Sequence, residues 1–304
     1  MPGLSVVIAA FNSIRHIGPC LDSLFRQDSL APEVIVVDNG SKDGTAAFIK
    51  ERYPGVILIE NRENLGACKA RNQGIGLARG EWILTLDCDI VLADDFIRRL
   101  IKAAESSPVD TGMLQPKIFD AGGKTIYSGG ILLSFLKRFY DIGRGGVDTP
   151  EFKRPKYIFG ACCAAAAYRR VMLEDIKEDT GYFDERFFFL VEDVDLSWRA
   201  QVKGWRVLFS PDLICYHSGN SSLAGRPLRQ YLSWRNRKLM LAKHRLSRIR
   251  SVMILVFYEF PREVFLFAVN GHVRRKIRDL QADDDPPDQA YFGQEKGKVD
   301  GVVD

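Results

Sequence analysis

The chain has 304 residues, 46% hydrophobic and 27% charged, which provides for a large packed domain and excludes a disordered or fibrous protein. Its six cysteines show no CxxC pairing or regular spacing and most sit in apolar surroundings, so reduced, cytosolic thiols are expected. The net charge of +4 is modest but uneven: no acidic residue lies between Asp212 and Glu259, and such a basic block implies phosphate, nucleic acid or an acidic membrane as partner.

Taken in chain order, the first hundred residues alternate apolar runs with amphipathic stretches, the pattern of an α/β protein with a mostly parallel sheet and crossover helices. Strands are predicted at Leu4–Ala9, Val34–Asp38, Val56–Glu60 and Trp82–Asp87, and helices at Ile17–Phe25, Thr45–Arg52, Leu65–Ala78 and Asp94–Ser106. Because Leu4 to Ala10 reads as a strand, no secretory signal is expected. From Thr111 to about Pro155 the pattern loosens around paired glycines, predicting short strands and mobile loops. Phe159 to Ala164 reads as a small-residue strand or close-packed segment. After the segment Val191-Glu192-Asp193-Val194-Asp195 a helix is predicted to Lys203, then a strand at Arg206–Phe209 and a basic helix from near Leu228 to about Arg250. The apolar stretch Val252–Val269, interrupted by Glu259, Arg262 and Glu263, is too short and too charged to span a bilayer but suits an element lying on one. After Gln281 an acidic, Pro-rich tail is predicted to be disordered. The expected organisation is a main domain over 1–225 that divides at about residue 110. A basic helical region over 226–280 and the tail over 281–304 follow.

Four predicted strand ends deliver polar groups: Phe11-Asn12, Asp38-Asn39, Asn64-Leu65-Gly66 and Asp87-Cys88-Asp89. Open α/β sheets bind ligands at this edge. On an extended segment Asp87 and Asp89 point the same way, so both can face one ligand, and hard anionic oxygens suit Mg²⁺ or Mn²⁺ carrying a phosphate. There is no GxGxxG after the first strand and no GxxxxGK[ST], which disfavours a dinucleotide cofactor and a P-loop. Glu192-Asp193 forms a second carboxylate pair. Read from the residues alone, Asp193 or Asp195 would favour a helix N-terminus by capping and dipole.

In this set and order the motifs resemble glycosyltransferase family 2, the inverting GT-A-fold enzymes that use nucleotide-sugar donors. The resemblance runs from about Leu4 to Arg250 and is rhamnosyltransferase-like. It implies that Ala10, Phe11, Asn12, Asp38, Asn64, Gly66, Arg71, Asp87 and Cys88 bind the nucleotide-sugar, with Asp38 on the base and Arg71 near the base or first phosphate. Asp89 and His217, with Asp87, would hold Mn²⁺ or Mg²⁺, and Ser221 and Ser222 would lie in a loop over the diphosphate. Asp193 would be the general base, with Glu192 beside it. Gly160 to Ala167 resembles the acceptor-facing segment, and Arg235-Asn236 resembles a recurrent pair near the end of these domains. The implied donor is UDP- or dTDP-linked, rhamnose first. The implied acceptor is a glycan or lipid-linked glycan of the cell envelope, met at the cytoplasmic face of an anionic membrane, with no nucleic acid as partner. The C-terminal region would meet that membrane or a second subunit as a homodimer. Two rival readings are a non-catalytic carbohydrate- or lipid-binding module and a relative of the processive synthases; the latter's QxxRW motif and membrane spans are missing from the sequence.

Overall fold

A computed structural model describes residues 3–28, 32–219, 226–244 and 248–269. Its first part alternates β1 (Leu4–Ala10), α1 (Ile17–Phe25), β2 (Glu33–Asp38), α2 (Thr45–Arg52), β3 (Ile57–Glu60), α3 (Ala67–Leu77) and β4 (Trp82–Asp87). Next come β5 (Ile90–Leu92), α4 (Phe96–Ser106), β6 (Thr111–Asp120), β7 (Ile126–Ser128), β8 (Ile131–Leu133), β9 (Phe139–Asp141), β10 (Lys156–Ile158) and β11 (Ala165–Arg169). The described part closes with α5 (Arg170–Ile176), α6 (Glu192–Val202), β12 (Arg206–His217), α7 (Arg226–Lys243), α8 (Arg248–Ile254) and α9 (Phe260–Val269), a π-helical turn at Leu255–Glu259 joining the last two.

The main sheet runs β10-β12-β6-β11-β4-β1-β2-β3. The half formed by β4, β1, β2 and β3 is wholly parallel. β11 then enters antiparallel to both β4 and β6 and divides this half from a mixed one. Helices cover both faces, as period-2 alternation along the strands requires. Val6, Ile8, Leu84 and Leu86 pack with Leu21 of α1 and Phe96 of α4. Val7, Ile35 and Ile83 turn the other way, onto Ile75 of α3, Leu173 of α5 and Leu196 of α6. Each such side chain, fully buried, contributes about 1.5–3 kcal/mol of transfer free energy.

Three expectations are corrected. The segment after Thr111 does not begin as a loop: β6 is buried along nearly its whole length and pairs with β12, which runs to His217 rather than stopping at Phe209. Gln115, Pro116 and Lys117 break the apolar signal, yet Gln115 accepts from Cys162 N at 2.6 Å and Lys117 pairs with Asp148 at 2.9 Å, so both are accommodated inside. The strand in the small-residue stretch is Ala165–Arg169, beginning just past the expected Phe159–Ala164 segment. The basic helix does not run continuously to Arg250, because α7 ends at Lys243 and α8 begins at Arg248. All six cysteines are free and buried. Ser221, Ser222 and the tail from Gln281 lie outside the described residues. No helix among the described residues is long and apolar enough to cross a membrane.

Candidate active site

The parallel register sets the site. Ala10 lies level with Asp38 across β1 and β2, and Ala9 lies level with Asp87 across β1 and β4. The polar ends of these strands therefore open together at one edge. A cavity of about 770 Å³ sits there, with Ala10, Phe11, Asn64, Arg71, Asp87 and Cys88 on its wall from the parallel half. Glu192, Asp193 and His217 join the same wall from elsewhere in the chain.

Four expected residues stand behind that wall. Asn12, at φ +48°, accepts from Lys42 N at 2.8 Å and donates its own N–H to Ser41 Oγ at 2.8 Å, tying the β1 and β2 loops together. Asp38 is buried; its Oδ2 accepts from Ser41 N at 3.1 Å while Oδ1 has no protein partner. Burial raises its carboxyl above the usual range, against the Ser41 hydrogen bonds that lower it. Gly66 caps α3 at φ +86°, and a Cβ there would meet the Phe188 ring at 2.4 Å. Backbone freedom and close approach both demand glycine at this position. Asn64 Oδ1 accepts from Gly66 N at 3.0 Å and from Asn39 Nδ2 at 2.8 Å, which delays the helix start from the expected Leu65 to Ala67.

The fourth is Asp89. Asp87 closes β4, but Asp89 lies in the turn beyond it, so the alternation expected for an extended segment does not align the pair. They meet instead through His217, the last residue of β12, which pairs with Ile90 of β5. His217 Nε2 stands 3.4 Å from Asp89 Oδ1 and 3.8 Å from Asp87 Oδ2. Donor atoms of all three residues lie within 4.8 Å of one another. Asp89 Oδ1 is buried without a hydrogen bond, while Oδ2 accepts from Gly219 N at 3.2 Å. The His217 ring is stacked on Tyr127, centroids 4.0 Å apart. Two carboxylates and an imidazole with an unused buried oxygen fit Mn²⁺ or Mg²⁺.

Arg71 joins the two carboxylate pairs. Its guanidinium is buried and donates to Asp87 Oδ1 at 2.7 Å and to Glu192 Oε1 at 2.9 Å. Although burial opposes it, the Arg71 charge, with the nearby His217 ring adding to it, holds Asp87 below the usual carboxylate range. Asp193 differs from its neighbour. It is half-buried at the cavity, accepts from Val194 N at 2.8 Å and Cys163 N at 3.4 Å, and forms no ion pair with a cation among the described residues. Burial, then the adjacent Glu192 charge, pushes its carboxyl up to about 7. Two adjacent acids thus divide into a paired one and one poised to exchange a proton near neutrality.

Asp195 faces away from the cavity. It is fully buried against Arg199 Nε and Lys243 Nζ, each at 2.9 Å, and His244 Nε2 at 2.9 Å. Glu178 and Asp184 share the same Lys243, so this second acidic cluster is already neutralised by the protein. The Arg235-Asn236 pair serves the segment before Glu192. Phe188, Leu190 and Val191 all have positive φ, between 61° and 75°. Asn236 Nδ2 donates to the carbonyls of Phe187, Phe189 and Leu190 at 2.7–2.8 Å, and Arg235 donates to that of Arg186.

Sequence reasoning missed Tyr127, Asp141, Arg144 and Arg229, which also line the cavity. Arg144 lies 4.1 Å over the Tyr127 ring and pairs with Asp141 at 3.1 Å. Tyr127 lies on the short β7, Asp141 ends the short β9 and Arg229 lies on α7 within the basic block, while Arg144 alone stands among glycines, so no shared local pattern marks the four.

Residues 5–177 match the family described as Glycosyl transferase family 2. The succinoglycan biosynthesis protein ExoO of Rhizobium meliloti is 35% identical over 127 residues, 41% of this chain and 36% of that protein. The chain therefore spans about a third of that relative. N-acetylglucosaminyl-diphospho-decaprenol L-rhamnosyltransferase of Mycobacterium tuberculosis is 29% identical over 239 residues, covering 67% of this chain and 74% of that protein. Among solved structures, mannosyltransferase PcManGT from Pyrobaculum calidifontis, in complex with GDP-Man and Mn²⁺, matches with a TM-score of 0.57 at 19% identity. That likeness covers 96% of this chain and 79% of the other.

Proposed function

The chain belongs to glycosyl transferase family 2 and has the GT-A fold, and on that premise we propose that it is a metal-dependent, inverting glycosyltransferase of cell-envelope glycan synthesis. The donor is a UDP- or dTDP-sugar, rhamnose first. The acceptor is a hydroxyl of a glycan or lipid-linked glycan presented at the cytoplasmic face of a membrane. The observation that carries this reading is the Arg71 bridge between Asp87 and Glu192, which sets Asp193 beside the same cavity as the Asp87, Asp89 and His217 cluster.

The unpartnered Oδ1 of Asp38 supports an N–H of the base as its ligand. Asp89 and His217, with Asp87, would hold Mn²⁺ or Mg²⁺, whose charge neutralises the diphosphate as it leaves. Asp193 takes the proton from the acceptor hydroxyl while that oxygen bonds to the anomeric carbon and the bond from that carbon to the phosphate oxygen breaks. A single displacement inverts the configuration. Asp193 suits the task because a base is most effective when its pKa lies near the working pH. The rhamnosyltransferase relative supports rhamnose and a polyprenyl-diphosphate acceptor.

Calorimetry with UDP-, dTDP- and GDP-sugars, with and without Mn²⁺, tests the reading on the wild type and Asp89→Ala. Metal-dependent binding of one donor, lost in Asp89→Ala, is expected. A folded protein that binds none of them under any condition is instead a non-catalytic module.

A further inference from the structure

Between Val252 and Phe265 the chain is inside out. Leu255, Val256, Phe257, Phe260, Val264 and Phe265 are each more than half exposed. Every charged side chain in the stretch turns inward to α7. Glu259 pairs with Arg237 at 2.5 Å, Glu263 accepts from Trp234 Nε1 at 3.0 Å and pairs with Lys238 at 2.5 Å, and Arg262 reaches Ser233 Oγ at 3.5 Å. The π-helical turn at Leu255–Glu259 adds a residue to the helical turn, so Glu259 faces α7 while Phe257 and Phe260 face out. In water this arrangement exposes six large apolar side chains close together in the chain, while the charged side chains described in the stretch face α7.

We propose that the outer face of the π-turn and α9 is a membrane-docking surface that enters the interfacial layer of an anionic bilayer. Charge selects this occupant. In sequence, Arg245, Arg248 and Arg250 immediately precede the apolar face, and no acidic residue occurs from Leu213 to Tyr258. Apolar insertion beside a basic run is the combination that anionic lipid surfaces bind. Position agrees as well: α7, which holds the inner side of this element, presents Leu228, Arg229 and Leu232 to the active-site cavity. This rests on the reading of a lipid-linked acceptor and deepens it, because docking here sets the cavity beside the membrane surface.

The test is sedimentation of the full chain with vesicles of phosphatidylglycerol and phosphatidylethanolamine, against phosphatidylcholine alone, for the wild type, Phe257→Ser/Phe260→Ser and Phe265→Ser. Melting curves verify folding, and calorimetry with Mn²⁺–UDP is run in parallel. We expect the wild type to partition at least tenfold more strongly to the anionic vesicles. The double variant should lose at least tenfold of that partitioning and Phe265→Ser a smaller share, with Mn²⁺–UDP binding unchanged in both. Wild type that stays in the supernatant, or variants that sediment as well as wild type, overturn the proposal. So does a wild-type dimer, seen by light scattering, that the variants dissolve without any change in vesicle binding. Failure of Mn²⁺–UDP binding alone counts against the transferase reading and leaves the docking result standing.

Discussion

Glu192 and Asp193 are adjacent, yet their surroundings assign them different work. Glu192 is spent on Arg71, and Asp193 is left with two backbone N–H groups and a raised pKa of about 7. For the free enzyme we expect kcat/KM for the acceptor to rise with pH through about 7 as Asp193 loses its proton. Asp193→Asn should lower kcat by about 10²–10⁴-fold while donor affinity, read by calorimetry, holds. The same residue affects stability with a definite sign. Its folded pKa lies above the ordinary 3.8, so its contribution is complete below about pH 4 and is lost as pH rises towards 7. Asp193→Asn should therefore melt at a higher temperature than wild type above pH 7, with the difference vanishing near pH 4. Asp195 gives the opposite outcome. Despite burial, hydrogen bonding from His244 and the Arg199 and Lys243 charges hold it below the usual range. Asp195→Ala strands those cations and should cost about 3–5 kcal/mol by denaturant melts.

At the scale of elements, the segment from Phe187 to Val191 carries three non-glycine residues in the left-handed region, each costing about 1–3 kcal/mol. One amide from α7 holds it. Asn236→Leu fills a similar volume but removes the donor to three carbonyls, and we expect kcat to fall at least tenfold with little change in donor affinity. Kinetics beside donor calorimetry separates this positioning effect from simple loss of binding. The same segment marks what the sequence reveals. Apolar runs ended by polar turns made β1, β2 and β4 legible, and with them Ala10, Asp38 and Asp87 at one edge. β6 was not legible, because Gln115, Pro116 and Lys117 are tolerated inside only through Cys162 and Asp148, distant partners that no local pattern discloses. Asn236 was conspicuous beside Arg235, but its three carbonyl partners lie at least 46 residues away in the chain. Asp89 was selected on an alternation that its turn breaks; His217 restores the grouping from another strand.

The molecule as a whole joins a parallel half that ends in acidic strand termini to a mixed half that returns Asp193 and His217 to the same edge. Because the candidate ligands come from both halves, ligand binding should stabilise the whole fold rather than a loop. With Mn²⁺ and UDP at about 100 times Kd, mass action contributes about 2.7 kcal/mol. We expect scanning fluorimetry to show a single transition that rises by several degrees and returns with EDTA. A rise confined to an early, partial transition would mean that the halves melt separately.

Arg71 carries one positive charge between two carboxylates, and this makes the cavity a proton-linked system. A metal ion that takes over Asp87 withdraws negative charge from the neighbourhood, which favours ionisation of Asp193. By reciprocity the ionised form of Asp193 must then bind the metal and donor more tightly. Loading the donor near neutral pH should therefore expel a fraction of a proton. Calorimetric enthalpies measured in buffers of different ionisation heat would count that proton, and the enzyme would acquire its base as a result of acquiring its substrate.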